Sequence, residues 1–221
     1  MTESQAREAI CRAGRSLFER GYVHATAGNI SVRLDDGSWL ITPTDASLGF
    51  LEPQALARVD AEGNHLAGDR PSKTLALHRR IVQEAARFDA GTRCVLHTHS
   101  THCVALSLQG QAGDELLPPL TPYFVMKVGR VPHVPYGRPG APEVAAAVGE
   151  TIARYGQAGR PIRAVMLERL GPVVWHDSPA TAMAVLEELE ETARLRLLAG
   201  EQAPLPEAAI AELRQVFGAR W

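Results

Sequence analysis

The sequence predicts an α/β fold: a single domain, residues 1–221, built on a mixed, largely antiparallel β-sheet with helices on both faces. Three observations carry this. Short apolar segments in the first third are separated by turn residues, which marks hairpins. Single short strands then alternate with longer amphipathic segments. The chain has 221 residues, 45% of them hydrophobic, enough for one sizeable core.

Each element has a local reason. Residues 3–20 place Ile10, Ala13, Leu17 and Phe18 on one helical stripe, and Gly21 ends it. Residues 29–33 and 39–42 are strands joined by Asp35-Asp36-Gly37, a hairpin turn. Residues 56–60 form another strand, closed by Glu62-Gly63-Asn64. Ser72 or Thr74 is placed to cap a helix to about residue 86. Residues 94–97 form a buried strand and 101–108 a short helix. Residues 131–135 are expected as a strand between prolines, and 143–155 as a helix begun near Pro142. Strands at 164–167 and 172–174 meet near Gly171, and helices follow at 179–198 and 207–217.

Composition excludes several functions. The formal net charge is −2 with no basic run, so nucleic acid is not an expected partner. No apolar run approaches membrane-spanning length, and no membrane role is expected. Cys11, Cys94 and Cys103 are odd in number and far apart, with no C-x-x-C pattern. A reducing, cytoplasmic location follows as the expectation.

The chemistry concentrates at Val95-Leu96-His97-Thr98-His99. Residues two apart on a strand share a face, so both imidazoles can address one ion, and imidazole suits zinc. Thr26, Thr44 and Ser72 are short hydroxyl donors, Asn29 offers an amide, and Gly28 permits close backbone approach. Lys73 adds positive charge, and a helix starting at Ser72 would offer free N–H groups. These residues suit a phosphate, and equally suit turns and caps.

The order of Thr26-Ala27-Gly28-Asn29-Ile30-Ser31, Ile41-Thr42-Pro43-Thr44, Gly68-Asp69-Arg70-Pro71-Ser72-Lys73 and His97-Thr98-His99-Ser100 resembles the class II aldolase/adducin family, over roughly residues 5–200. The segments 120–129, 135–140 and 186–193 are similar to its 3-oxo-tetronate 4-phosphate decarboxylase branch. The resemblance implies that fold, and a phosphate held by Thr26, Gly28, Asn29, Thr44 and Ser72. It implies a divalent ion, usually zinc, held by a glutamate and three histidines. His97 and His99 match two of these ligands, whereas Thr74 and Leu170 stand where the glutamate and third histidine fall.

Three outcomes stay open. Glu168 or His133 substitutes as a ligand; two histidines and substrate oxygens hold the ion; or no ion binds and the histidines serve as hydrogen-bond donors. Thr44 is followed by Asp45 where the pattern usually has glycine. Tyr123 falls near a family proton donor and equally suits a half-buried core position. Lys73, Thr74 and Tyr123 are the catalytic candidates, with Arg130 a further cationic candidate. The implied substrate is a small phosphorylated sugar acid, decarboxylated through an enediolate. The alternatives are a fuculose-phosphate aldolase-like enzyme and an adducin-like interaction module. A homotetramer is implied, with Phe217 and Trp221 as interface candidates.

Overall fold

The computed structural model describes residues 1–109 and 113–221. Helix α1, Glu3–Glu19, starts at a reciprocal cap: Thr2 accepts from the Gln5 N–H, and the Gln5 side chain accepts from the Thr2 N–H. The strands are β1 (Asn29–Arg33), β2 (Trp39–Ile41), β3 (Ala57–Val59), β4 (His65–Ala67), β5 (Cys94–His97), β6 (His133–Val134), β7 (Ala164–Leu167) and β8 (Gly171–His176). The remaining α-helices among the described residues are α2 (Leu75–Ala85), α3 (Thr101–Leu108), α4 (Pro142–Gln157), α5 (Pro179–Ala199) and α6 (Glu207–Phe217).

All eight strands form one sheet in the order β4-β3-β2-β1-β5-β8-β7-β6. Every neighbouring pair is antiparallel except β6 and β7. Strand alternation divides the core between the two faces. Ile30, Leu96 and Val174 bury against residues of α1, α3, α5 and α6. Val95, Val173 and Trp175 bury against Ile81 and Val82 of α2 and Val148 and Ile152 of α4. The α/β class, the antiparallel sheet and the helices on both faces are therefore as the sequence predicts.

Two local expectations need correction, and one strand was not expected. The strand expected over 131–135 is reduced to His133–Val134, because Pro132 and Pro135 lack the N–H that a ladder needs. The exposed strand β4 has no hydrophobic alternation to reveal it. Thr74 precedes α2 but its side chain does not cap it; its hydroxyl lies 2.9 Å from Ser72 Oγ. The helix starts at Leu75, and the N–H groups of Ser72, Thr74 and Leu75 all bond internally, to Thr42 O, Ser72 Oγ and Ser72 O. Of the N-terminal amides expected from Ser72 onward, those of Ser72, Thr74 and Leu75 are thus already used.

Candidate active site

The centre of the sheet places the two histidines. Asn29 of β1 stands opposite His97 of β5, and His97 stands opposite Val173 of β8. The antiparallel register puts Asn29 and His97 on the α2/α4 face, beside the sheet's upper end. Although β5 ends at His97, the chain turns so that His99 joins it, with the two rings 5.0 Å apart. Both line one cavity of about 240 Å³.

Backbone contacts bring the hydroxyl-bearing loops to the same place. Pro43 and Pro71 form an antiparallel bridge, and Thr44 N–H donates to Arg70 O at 2.9 Å. This clamp sets Thr44 beside Ser72. Gly28 has φ +87°, and a Cβ there would lie 2.9 Å from His97 O. Only glycine lets the 26–29 loop close onto β5 in this way. Thr26, Gly28, Asn29, Thr44 and Ser72 all line the cavity. The Asn29 side-chain oxygen is buried without a protein partner. Amide ends are assigned from their partners, so this unpartnered end can equally present N–H to an anion.

The imidazoles are held neutral. His97 Nδ1–H donates to Pro172 O at 2.9 Å, which leaves Nε2 with its lone pair. Burial pushes His97 down to about 4, the nearby His99 adds to this, and the Pro172 bond opposes it. Burial also lowers His99, with His24 contributing from a ring 6.3 Å away. Behind them His78 is fully buried, 2.7 Å from Ser31 Oγ, and burial takes it down to about 3.

Lys73 and Thr74 line the cavity, as do Glu168 and Leu170. Arg138 lines it too; it belongs to the 135–140 segment but is not among the site residues expected from the sequence. His24, an exposed residue, lies beside His99.

Other candidates lie elsewhere. His133 lines a different cavity with Glu115 and Tyr155, since its neighbour Val134 takes the α2/α4 face. Arg130 is paired to Glu115 at 2.9 Å and stacks on Trp221, so it is not a carboxylate binder of this cavity. Trp221 is buried within its own chain against Phe124, which removes it as an interface residue, while Phe217 is exposed. Tyr123 is 62% exposed and does not line the cavity of its own chain.

The family model for the Class II Aldolase and Adducin N-terminal domain matches residues 8–197. The chain belongs to the class II aldolase and adducin family. 3-Oxo-tetronate 4-phosphate decarboxylase from Cupriavidus necator is 53% identical across 100% of this chain and 99% of its own. The enzyme of that name from Escherichia coli K12 is 42% identical over 96% of each chain. L-fuculose phosphate aldolase from Methanococcus maripaludis is more distant, at 34% over 86% of this chain and 93% of its own. Among solved structures, YgbL from Klebsiella pneumoniae superposes with a TM-score of 0.85, at 41% identity over 97% of this chain and 100% of its own.

The family generally uses a divalent metal, and the donors in this cavity do not fit one. Among the described residues, no three His, Cys, Asp or Glu side chains converge as ligands. Glu168 Oε2 accepts from the Tyr136 N–H at 3.1 Å and its other oxygen lies 3.8 Å from Arg169 Nε. A zinc held by His97 and His99 together with His133 or Glu168 is therefore not the arrangement here.

Proposed function

We propose that this cavity belongs to a carbon–carbon lyase that converts a 3-oxo-tetronate 4-phosphate into dihydroxyacetone phosphate and carbon dioxide. The single observation that carries the reading is the buried, unpartnered amide of Asn29 among Thr26, Thr44 and Ser72, one strand away from His97. The full-length likeness to decarboxylases of that substrate supports it.

The residues divide the work by position. Asn29, Thr26, Thr44 and Ser72 hold the phosphate, with Gly28 shaping the loop. Lys73 places positive charge near the carbonyl oxygen, where charge develops as the carboxylate leaves. Thr74 offers a hydroxyl to the same substrate. Decarboxylation needs an electron sink and a later proton donor, whereas aldol cleavage must also remove a hydroxyl proton. The cavity carries no free carboxylate at position 74 to take that proton, which favours decarboxylation over an aldolase.

Tyr123 is the proton donor in this reading, reaching the cavity of a neighbouring copy in a homotetramer. Its exposure in one chain supports that placement. A cytoplasmic location belongs to the same reading, supported by three free cysteines. No helix among the described residues is long and apolar enough to cross a membrane.

Product identity tests the assignment. Carbon dioxide with dihydroxyacetone phosphate is the expected outcome. An aldehyde product indicates the aldolase, and no turnover of either kind indicates an interaction module.

A further inference from the structure

The cavity presents ligand-bearing positions without ligand chemistry. Thr74 and Leu170 both line it together with His97 and His99. One carries a hydroxyl already engaged with Ser72 Oγ at 2.9 Å. The other carries a hydrocarbon that packs onto the apolar cluster of the α2/α4 face. The turn holding Leu170 is fixed from both sides: Arg169 has φ +61°, and a Cβ on Gly171 would clash with Thr98 O. The backbone therefore has little freedom to bring another donor round. Of the two carboxylates in the lining, Asp45 forms no ligand group with the histidines among the described residues, and Glu168 is turned to the Tyr136 N–H and Arg169. A catalytic zinc takes about three protein ligands and leaves one position open. Two imidazoles fall short of that. The same lining includes two cationic side chains, Lys73 and Arg138.

We infer that this chain retains no resident divalent ion, that Thr74 and Leu170 are the positions responsible, and that the Lys73 ammonium supplies the cationic charge in its place. The role of Lys73 rests on the decarboxylase reading; the loss of the ion rests on the donor set alone. The chemistry balances without a metal, oxidant or reductant. The C1–C2 bond breaks and carbon dioxide leaves. Its electron pair forms the C2–C3 double bond, and the carbonyl π pair moves onto the C3 oxygen, opposite the ammonium. A proton delivered to C2 then restores the ketone.

The test uses the full chain without a polyhistidine tag. The protein is equilibrated with zinc chloride, desalted and assayed for metal by mass spectrometry, alongside calorimetric titration with the same salt. The expected content is below roughly 0.1 ion per chain, and Thr74→Glu with Leu170→His raises it about tenfold, toward one. About one ion per wild-type chain surviving desalting overturns the inference. If the double variant does not fold, the wild-type titration decides by itself.

Activity gives a separate arm. Carbon dioxide release is expected to be unchanged by EDTA. Lys73→Ala is expected to lower kcat by about 100-fold, with Lys73→Arg recovering part of it. Activity lost to EDTA and restored by zinc overturns the inference, as does a Lys73→Ala variant with unchanged kcat. If no carbon dioxide forms under any condition, the decarboxylase reading fails, while the metal content still decides whether an ion is resident.

Discussion

Asp45 sits in a left-handed backbone, φ +58°, and lines the cavity with Thr26, Thr44 and Ser72. Aspartate tolerates this conformation better than most residues, which is how a position suited to glycine accepts it. Its carboxylate nonetheless opposes a bound phosphate. Asp45→Gly is expected to lower KM for the phosphorylated substrate about threefold to tenfold and leave kcat nearly unchanged. Stability should move by less than about 1 kcal/mol, since relief of strain offsets the freedom gained by the unfolded chain. Steady-state kinetics and a thermal melt check both. At this scale the sequence is a good guide where chemistry and loop shape coincide: Thr26, Asn29, Thr44 and Ser72 are short polar residues in glycine- and proline-bounded loops, and they do meet. It is a poor guide where long-range pairing decides. Arg130 is taken by Glu115, fifteen residues earlier, and nothing local announces that.

Among the elements, the junction of α3 and α5 shows how a buried charge can be structural. Glu190 of α5 is 2% exposed and receives the N–H groups of His102 and Cys103, at 2.8 and 3.0 Å, at the start of α3. Burial pushes its carboxyl up, but these bonds together outweigh burial and leave it below the usual range. A carboxyl depressed in the folded state contributes stability above its unfolded pKa of about 4.3 and loses that contribution as pH falls through the lower native value. Glu190→Gln is therefore expected to cost roughly 1–3 kcal/mol at neutral pH and to flatten the acid limb of the Tm profile below about pH 4. Calorimetry across pH checks it. An unchanged acid limb contradicts this role.

Element boundaries were legible where apolar periodicity met a clear stop. Cys94–His97, Thr101–Leu108 and Glu207–Phe217 fall where the pattern predicts. The exposed edge strand His65–Ala67 had no such pattern. His133 failed as a ligand through strand parity: its neighbour, Val134, occupies the side facing α2 and α4. Periodicity fixes which residues share a face, but in a strand of two residues it cannot say which face that is.

At the level of the whole molecule, one sheet carries the cavity on its α2/α4 face while Tyr123 lies exposed and away from it. If neighbouring copies complete each other's sites, Tyr123→Phe and Ser72→Ala chains should each be slow alone and partly restored when reassembled together. Light scattering should show an assembly larger than 23.9 kDa. Activity that stays additive on mixing contradicts a shared site.

The account turns on the phosphate and the breaking bond occupying the same cavity. The most direct measurement is kcat/KM for 3-oxo-tetronate with and without its 4-phosphate, in the wild-type chain and in Ser72→Ala. The phosphorylated acid should be preferred by at least about 100-fold, and Ser72→Ala should erode that preference about tenfold through KM. A preference that is absent, or that Ser72→Ala leaves untouched, contradicts the account.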